Sequence, residues 1–188
     1  MINYHTNKFK IGTKIIVDNN PYIVIESHFI KPGKGQAFVR IKIRNLKNNQ
    51  IIERTYKAGE KLPVANIIEV NVQYLYQHLH AWNFININNF EQYELKKNDI
   101  SNIEIWLKEE EIYTLTLWNK NPIHIVAPNF INFFVTETNP NFKNQISKNG
   151  NKIAILETGL KIRVPNFIQK GDFIKIDTRT KEYVCRTK

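Results

Sequence analysis

The chain has 188 residues, 42% of them hydrophobic and 12% aromatic, with 27 Lys and Arg against 17 Asp and Glu. This apolar content is sufficient for one core or for two or three small ones. No stretch approaches the ~20 apolar residues of a membrane-spanning helix, and the first residues lack a signal-peptide pattern. The single cysteine, Cys185, excludes an internal disulfide. We therefore expect a cytoplasmic protein with no membrane partner.

The formal net charge of +10 favours a polyanionic partner, nucleic acid before an anionic membrane surface. The charge is uneven, because residues 1–64 carry +8, residues 65–128 carry −4 and residues 129–188 carry +6. A protein that coats a nucleic acid along its whole length would not carry an acidic middle. The pattern predicts two basic ends that contact separate phosphate regions; charge scattered without function is the alternative.

Residues 1–64 have the pattern of a small β-barrel. Residues 14–17 and 22–25 are β-branched runs on either side of a turn sequence, and residues 38–44 alternate apolar and basic side chains as a half-buried strand does. A further strand is expected at 51–56. Several short strands in so short a segment favour a closed barrel, because closure removes exposed edges.

Residues 31–38 read Lys-Pro-Gly-Lys-Gly-Gln-Ala-Phe and are expected at the tip of a hairpin. Pro32 fixes φ at one corner, and Gly33 permits the positive φ that a type II turn requires next. Gly35 gives conformational freedom at the exit. Lys34 stands between two residues without side chains and is expected to project from the body. The spacing is not that of a phosphate-binding loop, and an ordinary basic hairpin tip is the alternative.

Residues 65–128 predict a second small barrel, with strands at 67–72, 74–76, 82–85, 112–118 and 122–126. Ser101 and Glu104 fit a capping box, which places a short helix through Trp106 and Leu107. The aromatic residues of this acidic segment are expected to pack in its core: Tyr74, Tyr76, Trp82, Phe84, Trp106 and Trp118.

Residues 129–188 predict a third barrel, with strands at 130–136, 153–156, 161–164 and 173–176 and a long loop at 139–151. The prediction is thus an all-β fold of three consecutive small β-barrel domains with one short helix in the middle domain. The domains are expected at 1–64, 65–128 and 129–188. A single larger β-sandwich is the structural alternative.

The sequence lacks the patterns of an enzyme active site. The five histidines form no metal-ligand motif, and His78 and His80 lack a third ligand nearby. Cys185 has no histidine partner close in sequence, no serine lies in a nucleophile elbow, and Lys34 lacks the buried neighbours that would activate its amine as a nucleophile. We expect neither enzymatic activity nor a metal.

Residues 31–38 resemble the first-domain tip of bacterial translation elongation factor P, and the resemblance extends along nearly the whole chain. It includes Tyr74-Leu75-Tyr76 with Trp82 and Phe84, then Thr116-Leu117-Trp118-Asn119, Pro128-Asn129-Phe130, residues 171–179 and Glu182-Tyr183-Val184. The resemblance implies an SH3-like first domain and two OB-like domains, in an L shape similar to tRNA.

The resemblance also implies that the protein binds the ribosome beside the peptidyl-tRNA, near the exit site, and promotes peptide bond formation at consecutive prolines. Lys34 would receive a β-lysyl group from a lysyl-tRNA-synthetase-like enzyme, with no other cofactor, and the protein is expected to act as a monomer. The residues expected to contact tRNA or the ribosome are Lys31, Pro32, Gly33, Lys34, Gly35, Gln36, Lys148 and Lys152.

Two segments depart from the family pattern. Gln77-His78-Leu79-His80 replaces a common acidic-Gly turn, and the loop at 144–152 is not rich in Gly and Thr. A paralogue of the factor has a different tip, and the hypusine-bearing eukaryotic and archaeal counterpart has two domains, so both fit less well. A general RNA-binding β-barrel protein is the alternative function. It predicts exposed aromatic platforms interleaved with basic residues.

Overall fold

The structure is a computed structural model that describes residues 3–100, 103–138 and 151–187. Regular structure in these ranges is almost entirely β, apart from the α-helix α1 at Lys97–Ile100 and 3-10 helices at Thr6–Lys8 and Glu104–Trp106. No helix in this part of the chain is long and apolar enough to cross a membrane. The strands are β1 Asn3–His5, β2 Lys14–Val17, β3 Asn20–Ile30, β4 Phe38–Asn45, β5 Ile51–Lys57, β6 Lys61–Pro63, β7 Ile67–His78, β8 Ala81–Asn86, β9 Gln92–Lys96, β10 Ile112–Trp118, β11 Asn121–Val126, β12 Phe130–Thr138, β13 Asn151–Leu156, β14 Lys161–Pro165, β15 Phe173–Asp177 and β16 Glu182–Thr187.

The first sheet has the order β2-β3-β4-β5, and β1 pairs with β6 beside it. In β4 the side chains of Val39, Ile41 and Ile43 are at most 1% exposed. Arg40 and Arg44, which alternate with them, are exposed. The predicted alternation of buried apolar and outward basic residues is therefore confirmed, and it places the cations of β4 on the solvent side.

The second sheet has the order β11-β10-β7-β8-β9, and aromatic side chains fill much of its core. The rings of Tyr74 and Phe84 lie 5.3 Å apart, and those of Phe84 and Tyr113 lie 5.9 Å apart. The core prediction is wrong for Tyr76, which is 54% exposed. A bulge between Tyr74 and Tyr76 shifts the register of β7, and one extra residue turns the following side chain to the opposite face.

The other aromatic residues expected in that core divide in a similar way. Trp82 and Trp106 are each 3% exposed, as predicted, whereas Trp118 is only half-buried. The predicted short helix occurs as the 3-10 helix Glu104–Trp106, and its N-cap, Ile103, makes no side-chain hydrogen bond to it. Ser101 of the predicted capping box lies outside the described residues.

The third sheet has the order β14-β13-β12-β15-β16. The strands predicted for this part of the chain are present, and β12 continues two residues further, to Thr138. The predicted loop at 139–151 falls outside the described residues except for Asn151, which is the first residue of β13. Cys185 is exposed in β16.

Lys108, after the second 3-10 helix, makes several polar and ring contacts with the third sheet. Its Nζ lies 3.0 Å from Glu157 Oε1 and donates a hydrogen bond to the carbonyl oxygen of Asn132 at 2.8 Å. The same ammonium lies 5.8 Å from the ring centre of Phe133 and 5.3 Å from that of Phe173. We call these five residues the Lys108 cluster.

The chain divides into two compact units. One runs to Val70 and includes Thr116–His124, and the other contains Asn71–Leu115 and the residues from Ile125 on. The all-β fold class is confirmed, with three β domains that each contain one of the three larger sheets. The domain boundaries at 64/65 and 128/129 stay a prediction.

Candidate functional site: the hairpin tip at Lys34

Residues 31–37, called here the tip, connect β3 to β4. The last cross-strand pair before it is Ile30 with Phe38. Five residues of the tip are exposed, while Pro32 and Ala37 are half-buried. The predicted position of Lys34, projecting at the end of a hairpin, is thus observed. The exposed residues are Lys31, Gly33, Lys34, Gly35 and Gln36.

The backbone of the tip differs from the predicted turn. Gly35 takes a φ of +119°, in the region that favours glycine, whereas Gly33 does not have a positive φ. The type II turn expected at Pro32 and Gly33 is therefore wrong. A connection of this length can reverse over several bends, so it does not need the positive φ of a four-residue turn directly after Pro32.

The side chain of Lys34 is free of the protein body. Among the residues that the structure describes, it takes part in no hydrogen bond, ion pair or ring contact. A Cβ on Gly33 would meet no atom within 4 Å, so the residue before Lys34 leaves it without cover. The lysine ammonium is therefore directed by the backbone alone and is open to a partner.

The base of the tip and the neighbouring end of β5, in contrast, are held by hydrogen bonds. Ala58 N donates to Ala37 O at 3.0 Å, directly beside the tip. Thr6, only 1% exposed, donates from its hydroxyl to Lys57 O at 3.0 Å and from its amide to Glu60 O at 2.8 Å. Sequence reasoning missed Thr6, because its partners lie more than fifty residues away and no local motif marks it.

The cations on the outward face of this hairpin are partly neutralised. Lys42 Nζ lies 3.2 Å from Glu26 Oε1, and Arg40 Nε lies 3.3 Å from Glu53 Oε1. Lys31 makes no ion pair within the described part of the chain. At the tip, Lys31 and Lys34 therefore have no carboxylate partner among the described residues and are available to anions.

Phe29 is a second residue that the sequence did not single out. It lies two residues before Lys31 and is 56% exposed. Its cross-strand neighbour is the buried Val39, whose other neighbour is Tyr56. Burial raises the pKa of Tyr56, so its phenol stays neutral at physiological pH. The row is thus buried at Val39, half-buried at Tyr56 and open to solvent at Phe29.

The predicted contacts in the third domain are only partly described. Lys152 lies in β13 opposite Val164 and is half-buried, whereas Lys148 lies outside the described residues. Lys152 and the tip belong to different compact units. The exposed Lys161 and Arg163 of β14, close to Asn151, are further cations that sequence reasoning missed.

No group of three or more His, Cys, Asp or Glu side chains within the described ranges is placed to hold a metal ion. His78 ends β7 and His80 lies in the following turn. Leu79 between them takes a φ of +54°, an unusual value for leucine. Leu79 therefore takes a conformation that glycine adopts without strain.

Three family sequence profiles match the chain in succession. Residues 5–62 match the KOW-like domain of elongation factor P, residues 67–125 its OB domain and residues 131–186 its C-terminal domain.

Solved structures with a similar fold include eukaryotic translation initiation factor 5A from Methanococcus jannaschii, with a TM-score of 0.52 and 16% sequence identity, where 67% of this chain covers 94% of that one. A translation initiation factor eIF-5A family protein from Naegleria fowleri has a TM-score of 0.54 and 16% identity, with 67% of this chain covering 96% of it. These two likenesses show the fold alone. The family profiles, together spanning nearly all of the sequence, show that this chain belongs to the elongation factor P family of translation factors.

Proposed function

We propose that this protein binds the ribosome beside the peptidyl-tRNA and promotes peptide bond formation where consecutive prolines stall synthesis. The observation that carries the proposal is the tip. Lys34 is exposed and unpaired among the described residues, yet the base of the tip is bonded through Ala37 O to Ala58 N, and Lys57, the strand partner of Phe38, is bonded to Thr6. A free amine on a fixed support is suited to enter a narrow RNA cavity.

In this proposal Lys34 carries a β-lysyl group. An enzyme resembling a lysyl-tRNA synthetase would activate the carboxyl group of β-lysine, and Lys34 Nζ would attack it to form an amide, releasing the activating group and a proton. The amide removes the charge at Nζ, but the added amino groups carry positive charge further from the body. The modification therefore lengthens the reach of the tip without making it neutral.

The contribution of the arm to the reaction is positional. Proline is a poor nucleophile in peptide transfer because its ring constrains it. Holding the tRNA end in a reactive geometry contributes several kcal/mol without any proton transfer from the factor. A cationic arm near the phosphates and riboses of the peptidyl-tRNA end stabilises that geometry electrostatically. The catalytic groups are then those of the ribosome.

The charge distribution supports the same partner. The first 64 residues carry +8, which suits the acceptor arm of a tRNA, and residues 129–188 carry +6, which suits a distant part of the same molecule. In this view Lys152 contacts RNA from the C-terminal domain, and the acidic middle makes few RNA contacts. We further propose that the protein works in the cytoplasm as a monomer.

The test is in vitro translation of a reporter with consecutive prolines, beside one without them. Protein isolated from its own cells, carrying the β-lysyl mass on Lys34, should restore synthesis of the proline reporter only. Lys34→Ala should lose this effect, while Lys10→Ala, which removes an equal charge from another exposed site, should retain it. Full rescue by Lys34→Ala would overturn the proposal.

One observation favours the alternative, a general RNA-binding protein. In the third sheet Arg179 lies 5.7 Å from the ring centre of Phe130, and Arg186 lies 6.0 Å from that of Phe167. The two rings are 45% and 59% exposed, as stacking platforms for RNA bases require. Equal affinity for arbitrary single-stranded RNA and for ribosomes at the same salt concentration would support this alternative.

A further inference from the structure

Phe29 is a large apolar residue at the outer end of a row whose inner part is buried. In the first sheet it lies opposite Val39, which is 1% exposed, and Val39 lies opposite Tyr56, which packs against the core. Side chains directly opposite each other on one face approach to about 5 Å between Cβ atoms. Phe29 therefore lies against apolar neighbours on one side and is open to solvent over more than half of its surface, at 56% exposure.

The charge around Phe29 separates it from the other aromatic residues between residues 3 and 128 that are more than half exposed. Tyr76 is 54% exposed and Phe90 is 74% exposed, but both lie in residues 65–128, which carry a net charge of −4. Phe29 lies two residues from Lys31, which makes no ion pair among the described residues, and in residues 1–64, which carry +8. A cationic surrounding attracts a polyanion, whereas an acidic one repels it. Of these three rings, only that of Phe29 combines an accessible aromatic face with charge complementary to RNA.

We propose that Phe29 is a stacking platform for an unpaired base of the RNA strand that the Lys34 arm approaches. This inference rests on the proposed function and deepens it by naming what the same site recognises. Phe29 and Lys34 are five positions apart in sequence, so their Cα atoms lie within ~18 Å. Aromatic side chains beside cations hold single-stranded bases without regard to sequence, because every base has a π-face.

The direct test uses the full chain and a single-stranded RNA oligonucleotide with 2-aminopurine at its 3′ end, whose fluorescence falls on stacking. We expect the protein to quench this signal. Phe29→Leu, which keeps an apolar side chain, should weaken the affinity about tenfold, and Phe29→Tyr should retain it. Wild-type and Phe29→Leu proteins with the same affinity and quenching would overturn the proposal.

A second measurement distinguishes stacking from a contact with the modifying enzyme. The mass of Phe29→Leu isolated from cells should include the β-lysyl group in the same proportion as wild type. Loss of that mass, with unchanged quenching by the unmodified proteins, would assign Phe29 to the enzyme contact and overturn stacking. Unaltered melting temperature of Phe29→Leu would show that the exposed ring has no structural role.

Failure of this inference is distinguishable from failure of the proposed function. If Lys34→Ala loses proline rescue while Phe29→Leu retains rescue and quenching, the stacking proposal fails and the proposed function stands. If Lys34→Ala retains rescue while Phe29→Leu loses quenching, the proposed function fails and the RNA platform stands.

Discussion

Two lysines of this protein have the same side chain and opposite surroundings. Lys108 contacts a carboxylate at 3.0 Å, a backbone carbonyl at 2.8 Å and two aromatic rings, and its side chain is only 25% exposed. Lys34 contacts none of these among the described residues and is exposed to solvent. The bonding capacity of Lys108 is used within the fold, whereas that of Lys34 remains available for a partner.

The difference has an energetic meaning. An ordered ammonium stabilises the fold only where the free energy gained from its bonds exceeds the conformational entropy cost of ordering its side chain. Lys108 meets that condition through several simultaneous contacts, one of which is to a carboxylate. The backbone at Lys34 belongs to the hairpin tip, but the side chain has no partner among the described residues. Its amine therefore makes bonds only when the protein binds another molecule. The stability cost of changing each residue should differ accordingly.

The largest stability effect is expected for Lys108→Ala. This change removes the ion pair, the hydrogen bond to Asn132 and the two ring contacts, and leaves Glu157 without its cation. We expect a loss of about 2 kcal/mol in the free energy of unfolding. The measurement is urea unfolding followed by tryptophan fluorescence. Lys96→Ala, at an exposed site, is the matched control and should change stability by less than ~0.5 kcal/mol.

Equal stabilities of Lys108→Ala and Lys96→Ala would contradict this prediction. They would show that the contacts of the Lys108 cluster add no more to the free energy of unfolding than a solvent-exposed lysine does.

A smaller effect is expected from the glycines on either side of Lys34. Gly35→Ala places a Cβ on a residue with a φ of +119°, which should cost about 1–2 kcal/mol locally or displace the tip. Gly33→Ala adds a Cβ where no atom lies within 4 Å and φ is not positive, so it should be tolerated. The readouts are melting temperature and rescue of the proline reporter, both of which Gly35→Ala should lower.

The opposite result, a larger fall in melting temperature for Gly33→Ala than for Gly35→Ala, would contradict this expectation. It would indicate that Gly33 has the positive φ of the type II turn that the sequence predicts at Pro32 and Gly33.

Features decided by local pattern were predictable from the sequence. The alternation in β4 placed Val39 and Ile41 inside, and the Gly-rich segment between two strands located the tip around Lys34. Period-2 patterns and breaker residues report on a few adjacent positions, which is enough for a strand or a hairpin.

Features decided by contacts distant in sequence were not predictable. The bulge that turns Tyr76 outward depends on how β7 pairs with β8. Thr6 acquires its role from Lys57 and Glu60, and Lys108 from Glu157. Nothing in the residues next to these positions in sequence indicates such partners. Pro32-Gly33 suggested a turn by composition, but the length of the connection, set by where the strands end, moved the positive φ to Gly35.

The smallest stability effect is expected for Lys34→Ala, and it completes the comparison with Lys108. Since the ammonium has no partner among the described residues, its removal should change the free energy of unfolding by less than ~0.5 kcal/mol. Urea unfolding of Lys34→Ala beside Lys108→Ala tests this under identical conditions. A loss above ~1 kcal/mol would mean that Lys34 stabilises the hairpin, and any defect in proline rescue would then be explained by a weakened tip. Unchanged stability with lost rescue would assign the defect to the absent arm alone.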